Sequence, residues 1–323
     1  MAKLTITAGA PGSPIKPRID AASESKYDAA FDSSIKLTTN IGINHRIRIA
    51  LRMFLNPVSP QQLDQVLVQG LAKLLGVKLD SKVSVGIHHD ANQKPQLIAN
   101  WSGNEWQNFV NKFKSQAMSW NRKFWLIPPD DFKLFDIQIG GATYRPNICC
   151  EFWVDAVTSL ATAHRSIDVV NLYSPTSTAM TFRSHEGLYD SKDVDKSESW
   201  TQDMNAQWQL NEQYTVTHEI GHALGLPHIG VTRGLPTCSL ALVADKYIPA
   251  DYVPALLKGG PNGHTCYGYS GSGGDAENVM GYGVKFSSEN AQPWLDRLQL
   301  HVNGPIDISK WKVNMGKLPP KRV

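Results

Sequence analysis

Apolar positions along the chain follow two spacings, one typical of strands and one typical of helices. HRIRIALRMFL, residues 45–55, alternates apolar and basic side chains, and this alternation predicts a half-buried strand. Residues 59–79 carry leucine and valine at helical spacing and predict a helix that ends near Gly76. Because such segments alternate up to about residue 205, the pattern predicts an α/β (α+β) fold.

Further segments complete this pattern. Residues 186–206 are polar and predict a solvated loop. A last helix is predicted at about residues 290–302, with Asn290 as its N-cap and Pro293 in its first turn. The other predicted elements are a strand at KVSVGIHH (82–89), an aromatic helix at 104–126, and strands at ICCEFWVDAV (148–157) and SIDVVNLYS (166–174).

The first 40 residues are rich in Ser, Thr, Ala, Pro and Lys and show little periodicity. Residues 1–40 are therefore predicted to form a flexible extension, which would serve as a pro-segment or a delivery signal. Thr7, Pro11 and Pro14 interrupt the apolar core that a Sec-type signal peptide needs. The protein is expected either to stay in the cytosol or to be exported by a route without a cleaved leader.

Composition excludes some classes of partner and leaves others open. Charged residues make up 19% of the chain and the formal net charge is +3, so nothing favours nucleic acid or an acidic membrane surface. No apolar run approaches the ~18 residues of a membrane span. The four cysteines form no CxxC pair, which argues against a cysteine zinc site. Cys238 and Cys266 would pair in an oxidising compartment, and otherwise all four are reduced thiols.

The stretch HEIGHALGLPH, residues 218–228, concentrates three of the ten histidines of the chain. The residues from Asn211, a candidate cap, to Gly225 predict one helix, on which His218 and His222 share a face. Gly225 can end this helix in a left-handed conformation, and His228 can then return towards the same point. Three neutral imidazoles and one open coordination position are what a catalytic zinc site requires.

Glu219 directly follows the first histidine and lies too far round the helix to join the same ligand shell. It is placed to take a proton from a zinc-bound water, whose pKa the metal lowers to about 7. Glu219 is therefore the predicted general base, and afterwards the proton donor to the leaving amine. A structural zinc would prefer a fourth protein ligand, and none is supplied nearby.

Other candidate sites are weaker. His88 and His89 are adjacent on a predicted strand and point to opposite faces, so they are poor partners for one metal. DVDKSE, residues 193–198, has Glu198 where an EF-hand loop needs glycine, which leaves only a calcium site of another kind. The nine tryptophans are expected to pack in the core, with a carbohydrate-binding platform as the alternative.

HEIGHALGLPH resembles the H-E-x-x-H-x-x-G-x-x-H zinc signature of the metzincin metalloproteases. ENVMGYG, residues 277–283, resembles the methionine turn of that clan, which implies that Met280 lies under the three imidazoles. The Met-x-Tyr order resembles the astacin and serralysin branches. It implies that Tyr282 ligates the zinc or binds the oxyanion of the transition state.

The resemblance covers about residues 211–283 and matches no single branch. Ile229 follows the third histidine, where none of the branch-marking residues stands, and no cysteine precedes Cys149 to act as a cysteine switch. What the resemblance implies is a two-lobed zincin with a twisted mixed sheet and a long zinc-binding helix. Residues 41–229 would form its upper lobe, and residues 230–323 an irregular lower lobe with the Met-turn and the C-terminal helix.

The predicted function is a zinc-dependent endopeptidase with one catalytic zinc ion; calcium is unsupported. An extended peptide would pair with an edge strand of the upper sheet, and residues 283–286 would border its S1′ pocket. One hypothesis is an exported toxin or effector, with secretion machinery or an inhibitor as partner. The alternatives are a processing peptidase with one substrate and a non-catalytic zinc-fold binding module, against which the presence of Glu219 argues.

Overall fold

The computed structural model describes residues 18–19, 31–37, 44–61, 65–90, 93–173, 184, 187–202, 208–232, 277–303 and 306–323. These parts of the chain form five α-helices and sixteen strands. The helices are α1 (Gln65–Leu74), α2 (Gly103–Ala117), α3 (Thr215–Ala223), α4 (Ile229–Thr232) and α5 (Gln292–His301), with 3-10 turns at Met118–Trp120, Leu160–Thr162, Ser288–Ala291 and Ile308–Lys310. The strands are β1 (Arg18–Ile19), β2 (Asp32–Lys36), β3 (His45–Pro57), β4 (Val85–His89), β5 (Pro95–Ala99), β6 (Trp125–Ile127), β7 (Ile137–Ile139), β8 (Ala142–Arg145), β9 (Ile148–Val157), β10 (Arg165–Leu172), β11 (Leu188–Asp190), β12 (Lys196–Gln202), β13 (Trp208–Tyr214), β14 (Val302–Asn303), β15 (Lys312–Asn314) and β16 (Lys321–Arg322).

A nine-stranded mixed sheet organises the fold. Its strands lie in the order β15-β6-β9-β3-β10-β5-β4, with β2 also paired to β3 and β11 to β10. The central strand β3 pairs in parallel with β9 and β10 and antiparallel with β2. Its alternation of apolar and basic residues buries every second side chain, as a strand covered on one face requires. The mixed sheet with few helices confirms the α+β fold.

The core lies between one face of this sheet and helices α2, α3 and α5. Ile47, Ile49 and Leu51 of β3 point into it and are at most 1% exposed. Ser102 and Glu105 form a capping box that starts α2, and Phe109 and Phe113 of this helix are buried. The aromatic helix predicted at 104–126 is too long. It ends at Ala117, because Trp125–Ile127 instead pair with β9 and β15.

Two chain segments that the sequence analysis placed outside the upper sheet pair with strands of the nine-stranded sheet. Asp32–Lys36, inside the predicted flexible extension of residues 1–40, form β2 and pair with β3 over five residues. Phe31 and Ile35 are buried there, so apolar burial ties this part of the extension to the core. Lys312–Asn314, predicted in the lower lobe, return to pair with β6 at the edge of the sheet.

A long hairpin replaces the predicted loop at 186–206 and shortens the predicted histidine helix. Strands β12 and β13 pair antiparallel over seven residues, up to Lys196 and Tyr214. Asn211 therefore pairs with Ser199 instead of capping a helix, and α3 begins only at Thr215. Seven cross-strand pairs outweigh one local capping signal, because a cap contributes only about 1 kcal/mol.

The C-terminal helix agrees with the prediction in position but not in its cap. Helix α5 covers Gln292–His301 with Pro293 in its first turn. Asn290 belongs to the preceding 3-10 turn and is buried, where its amide contacts Asn278 and the backbone of Ser287. No helix in the described ranges is long and apolar enough to cross a membrane.

Glu151 carries a buried charge on the sheet face opposite the helices. Its side chain is 5% exposed, and Arg48 and Arg122 donate hydrogen bonds to it at 2.8 and 2.9 Å, with Arg46 at 3.5 Å. Burial alone would raise the pKa of Glu151, but the hydrogen bonds from Arg48 and Arg122 outweigh it, so the pKa is lowered. The carboxylate therefore stays ionised and holds three arginines over β3 and β9.

We expect Glu151→Gln to reduce the free energy of unfolding by about 2 kcal/mol at neutral pH, because three partly exposed guanidinium groups lose their carboxylate. The folded-state pKa lies below the ordinary value of 4.5, so this contribution is present above 4.5 and is lost as the pH falls through the folded-state pKa. Urea unfolding should therefore separate variant and wild type at neutral pH and bring them together in acid. The exposed Glu198→Gln is the control, and an equal loss there would contradict the assignment.

Candidate metal centre

Helix α3 places the first two histidines of the cluster. The helix starts where β13 ends, and Val216, Ile220 and Ala223 bury one of its sides. His218 and His222 are four residues apart, about one turn, so their rings lie on the same face. The ring centroids are 4.8 Å apart and the ring planes are nearly perpendicular, at 84°.

The end of α3 brings the third histidine to the same point. Gly225 has φ of +89°, in the left-handed region, where its Cβ-free backbone is not strained. The N–H of Gly225 donates to the His222 carbonyl at 2.8 Å, and that of Leu226 to the Gly221 carbonyl at 3.0 Å. These two bonds form a Schellman motif, which reverses the chain and returns His228 towards the helix.

The three imidazoles converge through the same ring nitrogen. Nε2 of His222 lies 3.1 Å from Nε2 of His218 and 3.1 Å from Nε2 of His228. Among the residues that the structure describes, this is the one group of three or more His, Cys, Asp or Glu side chains whose ligand atoms meet. The predicted ligand trio is therefore assembled in space.

Backbone carbonyls orient two of these rings through Nδ1, the ring nitrogen that faces away from the centre of the cluster. Nδ1 of His218 lies 2.8 Å from the Val279 carbonyl, and Nδ1 of His222 lies 2.8 Å from the Leu226 carbonyl. A carbonyl only accepts, so both Nδ1 atoms carry the proton and donate it. Each Nε2 then presents an unprotonated lone pair to the centre of the cluster, which is the tautomer that metal-ligating histidines use.

This arrangement suits a divalent cation. Tetrahedral ligands about 2.0–2.1 Å from zinc stand about 3.3–3.4 Å apart, close to the observed Nε2 separations. Unprotonated lone pairs at such a distance repel one another unless a positive charge lies between them. Burial, followed by the charge of His222, lowers the pKa of His218 to about 3 against the raising effect of the Val279 carbonyl. Burial also lowers the pKa of His228, so a metal ion suits the cluster better than a proton.

Met280 packs directly against α3 at Gly221, the residue before His222. It is 1% exposed, and a Cβ added to Gly221 would come 2.1 Å from its sulfur atom. The contact therefore requires a glycine at the helix position before His222. The Met280 carbonyl accepts from the N–H of Ile229 at 2.9 Å, which ties the same turn to the residue after His228.

Asn278 holds this turn together, a role that sequence reasoning missed. Its side-chain oxygen accepts from the N–H of Met280 at 2.8 Å, and its carbonyl accepts from the N–H groups of Gly281 and Gly283. A Cβ on Gly283 would meet the Glu277 carbonyl at 1.9 Å, so glycine is required there too. The signal in the sequence is the pair of glycines that flanks residue 282.

The two other predicted site residues lie on the same elements. Glu219 is half-buried on α3 next to His218. Burial and the charge of Asp190 raise the pKa of Asp193, and the charge of Glu219 adds a smaller effect in the same direction. Tyr282 is half-buried, two residues after Met280 and between the two glycines of the turn. Glu219 is thus one chain position from a histidine of the cluster, and Tyr282 is two chain positions from Met280, which packs against α3. Their chemical roles stay predictions.

Asp190 and Asp193 form a buried acidic pair that the sequence analysis did not identify. Asp193 Oδ2 accepts from Ser184 Oγ at 2.5 Å and from the N–H of Asp190 at 2.7 Å. Burial raises the pKa of Asp190 to about 6, and burial followed by the charge of Asp190 raises the pKa of Asp193. The hydrogen bonds of Asp193 show that it holds the turn between β11 and β12.

The remaining candidates do not join the cluster. His88 and His89 lie on β4, and Cys149 and Cys150 are buried free thiols on β9. Cys238 and Cys266, the proposed disulfide pair, lie outside the described residues.

We expect Gly221→Ala to reduce the free energy of unfolding by about 2 kcal/mol, because its methyl group would displace the buried Met280 sulfur. Alanine stabilises a helix interior more than glycine does, by about 0.8–1 kcal/mol, so a loss of stability in Gly221→Ala would come from its packing against Met280. Gly70→Ala on α1 is the matched control, since an added Cβ there meets no atom within 4 Å. The control should be neutral or stabilising in urea unfolding, and equal behaviour of the two variants would contradict the close contact.

Comparison with known families gives one match. The family model described as Matrixin, of the M10 peptidases, matches residues 175–246, under a quarter of the 323-residue chain. The matched segment contains HEIGHALGLPH in full. Comparisons with curated proteins and with solved structures gave no match. Together with the histidine geometry, the Matrixin match supports a metallopeptidase of metzincin type at most and does not confirm a branch.

Proposed function

We propose that this protein is a zinc-dependent endopeptidase that hydrolyses peptide bonds in protein or peptide substrates. The observation that carries the proposal is the convergence of three Nε2 atoms, together with the backbone carbonyls that hold the opposite nitrogens of His218 and His222. Such a pre-oriented set of lone pairs is the arrangement that metal-ligating histidines use. The Matrixin match to residues 175–246 agrees with this reading.

His218, His222 and His228 would hold the zinc ion. When bound, zinc supplies Lewis-acid chemistry, which polarises a carbonyl group and lowers the pKa of water. Three protein ligands leave a coordination position open, which is typical of catalytic rather than structural zinc. In the same proposal Met280, which packs against Gly221 on α3, would keep the helix that carries His218 and His222 in place.

Glu219 moves the protons in the proposed reaction. It follows His218 on α3 and points about 100° further round the helix, which places its carboxylate beside the ligand set rather than in it. The carboxylate takes a proton from the attacking water and passes it to the leaving amine. In the same proposal the Tyr282 phenol donates a hydrogen bond to the carbonyl oxygen as negative charge develops there.

The number of different peptide sequences that the enzyme cleaves distinguishes between two proposed biological roles. A peptide library incubated with the pure protein separates the two roles. Cleavage of many sequences would favour an exported toxin or effector that acts on foreign proteins. Cleavage of few would favour a processing peptidase with one partner.

We expect one zinc ion per chain in the wild type and none in His222→Ala, because two remaining imidazoles bind zinc far more weakly than three. Metal analysis of the purified proteins after dialysis measures this. The exposed His89→Ala on β4 is the control and should keep its zinc. Chelation of the wild type should also lower its melting temperature, because a ligand of the folded state stabilises that state.

We expect Glu219→Ala to keep one zinc per chain and to lose cleavage by about 10²- to 10⁴-fold, the usual contribution of a general base. Glu212→Ala, at a partly exposed residue of β13, should keep both zinc and activity. Metal analysis and a peptide-cleavage assay on the same samples test this. Equal activity of Glu219→Ala and wild type would contradict the mechanism.

We expect Tyr282→Phe to keep its zinc and to reduce kcat by about tenfold, because one hydrogen bond to the developing oxyanion is lost. The assay is the same as for Glu219. If Tyr282→Phe instead loses the metal, the phenol is mainly a ligand or a structural group.

A further inference from the structure

A cavity of about 300 Å³ lies beside the histidine cluster. Tyr214 and Thr217, at the start of α3, line one side, and Gly283 and Val284, after Met280, line another. Helix α2 and the turn that follows it close the cavity. Ligand pockets commonly measure about 300–1,000 Å³, so this cavity is of a size for one side chain rather than for a large ligand.

Two of the cavity walls are joined directly to a proposed zinc ligand. Thr217 precedes His218 in the chain, and the carbonyl of Val279, a further lining residue, accepts the hydrogen bond of His218 Nδ1 at 2.8 Å. Neighbouring residues of an extended peptide are about 3.3 Å apart along the chain. A peptide whose scissile bond lies at the cluster therefore has an adjacent side chain within reach of this cavity.

Lys123 is the charged residue in the cavity wall. Its Nζ lies 5.3 Å from the centroid of the Phe286 ring, a cation–π contact. Within the described part of the chain, no carboxylate pairs with this ammonium group. The aromatic ring attracts the positive charge, but it accepts no conventional hydrogen bond from the three N–H groups of Lys123.

Phe286 fixes the place of this ammonium group. Its ring contacts Trp120 edge-on at 4.8 Å and Phe124 at 5.9 Å, and both of these side chains are fully buried. Lys123 follows the 3-10 turn that contains Trp120, so its backbone belongs to the same packed region. The cation–π contact therefore places the positive charge at one wall of the cavity.

The rest of the α2 wall is polar, and its groups bond to one another. Ser119 Oγ lies 3.2 Å from Thr217 Oγ1, which also lies 3.2 Å from the Gln116 carbonyl, and Gln116 Nε2 donates to the Val194 carbonyl at 3.1 Å. An apolar side chain in the cavity would displace water from Lys123 and offer its N–H groups no acceptor, which is unfavourable. A carboxylate would form a charge-assisted hydrogen bond there.

We propose that this cavity receives an acidic substrate side chain next to the cleaved bond, and that Lys123 determines this specificity. The inference rests on the proposed peptidase function and adds the class of residue that the site selects. Lys123 contacts a substrate side chain away from the reacting atoms, so it acts in specificity and not in the chemical step.

The cleavage test uses two peptides that differ only in the residue after the cleaved bond, glutamate in one and glutamine in the other. For the wild type, kcat/KM should be about tenfold higher for the glutamate peptide, as expected for a partly exposed charge-assisted hydrogen bond. Lys123→Met should remove the preference, and Lys123→Glu should reverse it, so that the glutamine peptide is cleaved faster than the glutamate peptide. Lys114→Met on α2, which does not line the cavity, is the matched control and should keep the preference.

A binding measurement separates this inference from the proposed function. Peptides that begin with the residue after the cleaved bond, in a glutamate and a glutamine form, are titrated calorimetrically into zinc-loaded Glu219→Ala. The glutamate form should bind about tenfold more tightly, and Lys123→Met in the same background should abolish the difference. Cleavage of library peptides without any preference for acidic residues, or equal binding of the two forms, would overturn the inference while the peptidase function stands. If the wild type cleaves no peptide, the proposed function fails, and with it the inference.

Discussion

The hydrogen bond between His218 Nδ1 and the Val279 carbonyl, 2.8 Å long, connects the two parts of the chain on which the site depends. One part is α3, and the other is the turn around Met280, some sixty residues further along. The bond sets the tautomer of His218 and so turns its Nε2 lone pair towards His222 and His228. If the turn shifted, the ring would lose its acceptor and the three lone pairs would no longer meet.

The same turn serves the site in three ways because it is packed against one buried aromatic region. Asn278 closes it, Met280 fills the space over Gly221, and Phe286 contacts Trp120 of the core. Trp120 in turn donates from its indole nitrogen to the Thr217 carbonyl at 2.9 Å, which anchors the start of α3. The orientation of the histidine rings and the shape of the cavity that Lys123 lines therefore depend on the same packing. A change in the Met280 turn or at the start of α3 is expected to affect both.

Local signals in the sequence failed where distant pairing competed with them. Asn211 and Glu212 look like a helix start, yet both lie in β13, because seven pairs with β12 stabilise an extended conformation up to Tyr214. Asn290 looks like an N-cap, yet its side chain accepts a hydrogen bond from the side chain of Asn278 in the Met280 turn. A capping residue acts over three positions, whereas these partners lie farther away and cannot be identified from spacing.

By itself, the sequence determined the α+β fold, strands β3 and β9, and the grouping of His218, His222 and His228, since these depend on periodicity and on offsets within one short segment. The tertiary structure alone decided what surrounds them. It showed that Gly221 must lack a side chain because Met280 approaches it, that Asn278 closes the turn, and that Lys123 faces a cavity beside the cluster. The contacts of Gly221 with Met280 and of Lys123 with Phe286 join residues 59 and 163 positions apart, and no local pattern of side chains records which distant residue will fill the space next to another.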